Sequence, residues 1–378
     1  MKNYLLVVSL LIVTTCYGQK EKAISDSARF NKYLFRSIST FTFDGQKPTG
    51  SGWDILEKHF AENQFVGWGE YHNSPLLSQL ASYALERASG YGFKNWCVEV
   101  SPFVASELSR IAGYKNPWDS LSVVSKDHPK YGTFPFFKTR DDARMLAAAG
   151  TYKYSIWGID QEFQMAFPYA INRVYNAQSP KVKRAYKAVR DSLLARWWMP
   201  KVKLLDSLRN GIPQENYKRV LDDIKVSGRI YREENSLMRA SLMKKNFYTY
   251  YDHTKTRHEK VFFKMGANHL AKGLNLMTSL YDIGNSVYEL AQHNQTNFTN
   301  VWFMLRYTTE DGKVIDDLAS SQPEYPREFL QLYDKEKWVV IDLRPLRVRY
   351  ANDKTLSEDI YQLLYKYDFV VVSPEIQQ

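Results

Sequence analysis

The chain has 378 residues, 44% hydrophobic, 15% aromatic and 24% charged, and its 51 Lys and Arg against 41 Asp and Glu give a formal charge of +10 at neutral pH. This mixture excludes a disordered or collagen-like chain, and the length is enough for one large domain or two. The positive excess raises nucleic acid or a membrane surface as partners, and its distribution along the chain decides whether either is needed.

Lys2 is followed by an apolar run at 5–13 and then by Thr14, Thr15, Cys16, Tyr17 and Gly18, the order of a secretory signal. The run is too short to span a bilayer, and no later stretch reaches the roughly eighteen apolar residues of a membrane helix. The expected product is exported, periplasmic or secreted, with 1–18 removed as a signal peptide and no transmembrane segment. Lipidation at Cys16 calls for small residues before the cysteine, which Val13-Thr14-Thr15 supply poorly, so ordinary cleavage is favoured over a lipoprotein. Cleavage after Gly18 leaves Cys97 as the single cysteine, and an intrachain disulfide is then excluded.

An N-terminal extension, 19–60, precedes the first apolar run at 65–69. Further runs of buried-strand character follow at 96–100, 154–160, 261–266, 301–305, 338–343 and 369–372. After the first run, Ser74 and Pro75 supply an N-cap and a first-turn proline, Leu76, Leu77, Leu80, Tyr83, Ala84 and Leu85 carry a helical period, and Gly90 ends it. Strand, loop, helix and strand in that order predict an α/β fold: a three-layer αβα arrangement with a mostly parallel central sheet, formed by 61–166 and 260–378. The aromatic loop 131–137 lies between the second and third strands, where it either roofs a pocket or simply packs. Between them, 167–259 loses the strand pattern and gains charged helical stretches at 182–196, 217–229 and 233–248, broken by Pro200 and by 211–213, which predicts an inserted helical subdomain.

In such folds the chemistry collects at the carboxyl ends of the strands. Gly69-Glu70-Tyr71-His72 stands at one such end and Gly266-Ala267-Asn268-His269 at another, so two Gly-x-x-His tetrapeptides can bring their imidazoles together. Glu99, Asp160 and Glu162 stand at further strand ends and add carboxylates. Two histidines with carboxylates suit either a divalent metal or a metal-free general base acting on water. The remaining histidines carry weaker signals: His59 and His128 read as surface residues, His253 and His258 precede a strand, and His293 follows a helix.

Gly69-Glu70-Tyr71-His72-Asn73-Ser74-Pro75 with Gln79 resembles the opening motif of the ChaN-like lipoproteins and, more distantly, of the erythromycin esterases. The paired Gly-x-x-His motifs are also similar to those of the Tiki/TraB metalloproteases. Arg239, Met243 and Asn246 resemble a helix pattern of the esterases. The stretch 260–269 with His269, then Asp342-Leu343-Arg344 and Tyr367-Asp368, continue the esterase likeness in order through most of the chain. The resemblance implies the αβα fold with a helical insertion. From the esterases it implies that His72 activates water with help from Glu99 and His269, with Glu70 beside them. From the Tiki relatives it implies that His72, His269, Glu70 and Glu99 bind a divalent metal, and from ChaN it implies haem binding. Asp160, Glu162, Arg239, Asn268 and Arg344 are the secondary candidates.

The leading expectation is an exported hydrolase of an ester or amide in a small-molecule or peptide substrate. The alternative is a haem- or metal-binding protein without hydrolytic activity, for which the 27 tyrosines and the aromatic loop would supply ligands and stacking. The segment 171–260 holds 21 Lys and Arg against 9 Asp and Glu, more than the whole net charge. Its basic residues alternate with acidic and apolar ones, unlike a nucleic-acid arm, so a solvated helical face is expected and no nucleic-acid partner. As a basic lip beside a site it would favour anionic substrates. No feature of the sequence points to an oligomeric state.

Overall fold

The computed structural model describes residues 30, 33–126, 132–196, 198, 200–254, 256, 258–310, 312–352 and 356–377. The segment 1–18 expected to be a signal, with Cys16, lies outside them, as do His128 and Tyr131. In chain order the elements are β1 (Ile38–Phe43), β2 (Pro48–Thr49), α1 (Ser51–Glu62), β3 (Phe65–Glu70), α2 (Pro75–Gly90), β4 (Asn95–Val98), α3 (Pro102–Ala112), α4 (Pro117–Ser125), α5 (Arg140–Thr151) and β5 (Ser155–Gly158). Then come α6 (Phe167–Asn176), α7 (Pro180–Leu194), α8 (Val202–Asn210), α9 (Glu215–Glu233), α10 (Ser236–Tyr251), β6 (Val261–Gly266), α11 (Ile283–His293) and β7 (Phe298–Glu310). The last are β8 (Lys313–Asp316), α12 (Arg327–Leu330), β9 (Trp338–Asp342), α13 (Leu343–Arg349), α14 (Glu358–Lys366) and β10 (Phe369–Gln377).

The chain divides into two compact units, one comprising 43–49 and 53–303, the other the flanking N-terminal segment, 50–52 and 304–378. In the larger unit β5, β4, β6, β3 and the first half of β7 lie side by side, every pair parallel. β3, β4 and β6 are buried at every position, which explains their nearly continuous apolar sequences. One face of this sheet carries Phe65, Cys97, Trp157, Phe263 and Met265, packed against Met243, Phe247 and Tyr251 of α10 and Ile283 and Val287 of α11. On the opposite face Trp68 packs on Trp53 of α1, which also meets Tyr83 of α2, and Phe262 packs on Phe60. Helix, sheet and helix therefore form the three layers expected from the sequence, and the stretch from β5 to β6 is all helical.

The smaller unit departs from the parallel pattern. β9 pairs antiparallel with both β1 and β10, and β8 folds back antiparallel on the outer half of β7. β1, β2 and β8 have no counterpart among the sequence-predicted strands. β1 reads Ile-Ser-Thr-Phe-Thr-Phe, too polar for the both-faces-buried pattern by which the other strands were recognised, and only one of its residues, Phe41, is buried.

Two loops between strand and helix are set by N-caps, of which the sequence announces the first. Ser74 Oγ accepts the Leu77 N–H at 2.9 Å ahead of Pro75, and Ser101 Oγ accepts the Val104 N–H at 3.0 Å ahead of Pro102. Asn73, with φ of 64°, makes the left-handed turn that separates His72 from α2, a conformation asparagine tolerates better than most residues.

Candidate active site

β3 and β6 are parallel neighbours with Glu70 directly opposite Gly266. That register brings the two Gly-x-x-His tetrapeptides to the same edge of the sheet, and β4, on the other side of β6, adds Glu99 just past its end. Close packing fixes both motif glycines. A Cβ on Gly69 would stand 2.7 Å from Ala267 Cα, and one on Gly266 would stand 3.1 Å from both Glu99 Oε2 and His72 Nε2.

Glu99 is the hub. One oxygen accepts the Gly266 N–H at 2.7 Å and lies 3.7 Å from His72 Nε2; the other accepts from Arg239 Nη2 at 2.8 Å and lies 3.3 Å from His269 Nε2. Burial opposes ionisation of this carboxyl, but His269, His72 and Arg239 outweigh it and hold Glu99 well below the usual carboxylate range.

The two histidines differ. Both nitrogens of His269 face carboxylates, Asp282 at 2.8 Å from Nδ1 and Glu99 at 3.3 Å from Nε2. Ionised carboxylates only accept, so both nitrogens must donate and His269 is an imidazolium. Burial works against that charge, yet Glu99 and Asp282 raise its pKa to about 10. His72 donates from Nδ1 to Glu70 Oε1 at 3.2 Å, while its Nε2 stands beyond hydrogen-bond distance of Glu99. Its side chain is 32% exposed against 12% for His269. Burial pulls the His72 pKa down, but Glu99 and Glu70 raise it more, with Lys264 acting in opposition. Phe136, from the aromatic loop, stacks on the His72 ring at 3.9 Å between centroids and takes a φ of 63° to do so.

Two partners in this cluster carry no motif. Lys264 is buried in β6 and its ammonium is paired with Glu70 Oε2. Burial disfavours the Glu70 charge, and Lys264 and His72 overcome this to keep the carboxyl below its ordinary value. The signal for Lys264 is visible in retrospect: it is the one charged side chain in Val-Phe-Phe-Lys-Met-Gly, a strand with every residue buried. Asp282 lies 13 residues past His269 and also caps α11 through the Ile283 N–H, at 2.7 Å.

The secondary candidates separate into those within the cluster and those outside it. Arg239 Nε donates to Asp160 Oδ1 at 2.9 Å, so its guanidinium ties Asp160 to Glu99. Four and seven residues on along the same face of α10, Met243 enters the core and Asn246 donates to the Ile159 carbonyl at 3.0 Å. Glu162 stands one step back, accepting from Ser101 Oγ at 2.8 Å, and burial pushes its carboxyl up to about 8. Asn268 Oδ1 accepts the Met277 N–H at 3.0 Å and serves the following loop. Arg344 belongs to the smaller unit, where it pairs with Asp342 at 2.7 Å and lies over Phe369.

Among the other histidines, His59 is a correction. It is buried rather than at the surface, because the last turn of α1 packs its side chain against the sheet, with Nδ1 3.2 Å from Asn63 Nδ2 and 3.4 Å from Thr299 Oγ1. His253 bonds the Thr249 carbonyl beyond the end of α10, and His293 is exposed at the end of α11.

The donor set of the four motif residues does not suit a divalent cation. Lys264 already pairs with Glu70, Arg239 and the Gly266 N–H engage Glu99, and both His269 nitrogens are engaged by carboxylates. Among the described residues no group of three or more His, Cys, Asp or Glu side chains is arranged to hold a metal ion. Haem iron meets the same crowding at His269.

No family sequence model matches the chain, and no curated protein matches it in sequence. Solved structures do match in fold. A Bacillus cereus protein aligns over 92% of this chain and 97% of its own with a TM-score of 0.55 and 17% identity. An erythromycin esterase variant in its open conformation aligns over 90% and 98% with a TM-score of 0.56 and 14% identity. A succinoglycan biosynthesis protein aligns over 92% and 96% with a TM-score of 0.54 and 14% identity. A structure of haem-bound ChaN of Campylobacter jejuni aligns over 70% and 91% with a TM-score of 0.32 and 14% identity. At these identities the likeness is one of fold: this chain adopts the αβα architecture of those three proteins.

Proposed function

We propose that the protein is an exported hydrolase that activates water with His72, without a metal, for attack on an ester or amide carbonyl. The observation that carries this reading is the unequal pair of histidines around one carboxylate. His269 is held as a cation, while the more exposed His72 is oriented through Nδ1 by Glu70 and can shuttle a proton through Nε2. Two titratable groups whose surroundings assign them opposite duties are the usual mark of acid–base chemistry.

In the proposed reaction His72 Nε2 takes a proton as water adds to the carbonyl carbon, and Glu70 stabilises the resulting imidazolium. The His269 imidazolium and the Arg239 guanidinium supply positive charge for the oxyanion. His72 then returns its proton to the departing alcohol or amine, so one water is consumed and one acid released. The shared fold of an erythromycin esterase makes ester hydrolysis the first reaction to assay. Export rests on the leader-like first 18 residues, and N-terminal sequencing of the secreted or periplasmic chain should begin at Gln19.

The direct test is a panel of small and aromatic esters and amides assayed with the wild type and His72→Ala. Loss of a general base lowers kcat by about 10²–10⁴. The partial exposure of His72 predicts that the variant keeps the wild-type circular dichroism, with Tm lower by only a few degrees for the lost Phe136 stack and Glu70 hydrogen bond. Turnover that survives the substitution would remove His72 from the mechanism.

A further inference from the structure

The loop that joins the second motif to α11 is built in the reverse sense to an ordinary surface loop. Residues 273–281, Gly-Leu-Asn-Leu-Met-Thr-Ser-Leu-Tyr, contain no charged side chain in a chain that is 24% charged. Its one buried polar side chain, Asn275, ties the loop together from within, while Thr278 and Ser279 are exposed. Asn275 is buried, accepts from the Thr278 N–H and Oγ1 at 2.8 Å, and donates to Asp282 at 3.3 Å; its own N–H reaches the Leu280 carbonyl at 2.9 Å. Leu274 and Tyr281 are bridged across the loop, and Asn268 holds the Met277 N–H.

Its apolar groups point outward. Met277 is 82% exposed, Tyr281 58%, Leu274 41% and Leu276 36%. Cations stand at its roots: Lys244 donates to the Tyr281 carbonyl at 2.8 Å, and Lys272 lies over the Tyr288 and Phe298 rings. The nearest acidic residue in sequence, Asp282, is buried and engaged with His269.

From this arrangement we infer that loop 273–281 docks on an anionic lipid surface, with Leu276 and Met277 entering the acyl boundary and Lys244 and Lys272 supplying attraction to the headgroups. A stable protein interface buries about 1,200 Å² or more, beyond what four partly exposed side chains on one loop supply. A lipid surface, by contrast, needs only an apolar tip flanked by lysines. The internal hydrogen bonds hold the tip in place, so little ordering is required on docking. The loop's roots, Asn268 and Asp282, also frame His269, so docking would set the site beside lipid-borne substrates. The docking itself does not depend on which bond the site cleaves.

A fluorophore at position 277 tests this, attached through Met277→Cys in a full-length Cys16→Ser background, where Cys97 is buried. Emission should shift to the blue and rise several-fold with phosphatidylglycerol vesicles and stay unchanged with phosphatidylcholine vesicles. In parallel, Leu276→Asp with Met277→Asp should lower co-sedimentation with the anionic vesicles on the order of tenfold. Both side chains are exposed, so this variant should keep the wild-type circular dichroism. The apolar residues 5–13 can bind lipid themselves, so emission at position 277 is the deciding measurement. Unchanged emission on anionic vesicles overturns the inference. So does a concentration-dependent dimer that the double variant abolishes while vesicle binding is unaffected, which would assign the loop to a second copy of the chain.

Discussion

The ends of β3 and β6 carry the same spacing, Gly-x-x-His, yet present two different kinds of imidazole. His269 sits between two carboxylates and is fixed as a cation. His72 has one carboxylate within hydrogen-bond distance, a lysine acting against its charge, and nearly three times the exposure. The tetrapeptide therefore places a histidine at the sheet edge, and neighbours contributed by distant segments decide what that histidine does. Lys264 and Asp282 are the residues that make the two ends unequal.

The largest stability effect is expected at Lys264. Lys264→Met leaves the buried Glu70 carboxylate without its cation, and breaking a buried pair from one side costs about 3–5 kcal/mol. The double variant with Glu70→Gln should regain most of the loss in a denaturant titration. If Lys264→Met alone is neutral, the pair does not hold the β3 end in place.

Asp282→Asn should bring the two histidines closer in character. With one carboxylate gone, the His269 pKa falls from about 10 toward its ordinary value, while Glu99 still holds it above that value. The alkaline limb of kcat/KM should move down with it, whereas the acid limb, set by His72 above its ordinary 6.5, should stay in place. The same shift governs stability. A histidine whose folded pKa is raised contributes its full stabilisation below pH 6.5 and loses it as the pH climbs to about 10, so Tm should decline across that window. Asp282→Asn should narrow the window from its upper end. A Tm that is flat from pH 6.5 to 10 would contradict the cationic assignment.

Gly266→Ala tests the shared centre, because the added Cβ presses on Glu99 Oε2 and His72 Nε2 at 3.1 Å. A displacement of a few tenths of an ångström in this pair should lower kcat on the order of tenfold with KM little changed. The smallest effect belongs to Phe136→Gly. It removes a stacked ring worth about 0.5–1.5 kcal/mol, and glycine's ease at a φ of 63° offsets part of that loss. Tm should move by only a few degrees, while the exposed His72 ring should react faster with diethyl pyrocarbonate.

Much of the larger unit was legible in the sequence. Strands buried on both faces read as apolar runs, and Ser74-Pro75 marked the start of a helix. β1 and β8 were not legible, since their polar residues suit antiparallel strands with little burial and give no continuous apolar signal. At the site, Glu70, His72, Glu99, His269, Asp160 and Arg239 were all named by position, and the fold gathers them at one sheet edge. His59 was misjudged because helical period does not tell which end of a helix meets the sheet.

By itself the sequence determined the α/β character, the parallel strands and the positions of the two histidine motifs, because burial pattern, caps and strand-end spacing are local properties. Tertiary structure decided that Glu70 stands opposite Gly266, that Lys264 neutralises Glu70, and that Asp282 keeps His269 charged. Protonation depends on which charges lie within a few ångströms in a poorly solvated setting, and the Asp282–His269 and Lys264–Glu70 pairs join residues 13 and 194 positions apart in the chain. Only the folded chain brings them to those distances.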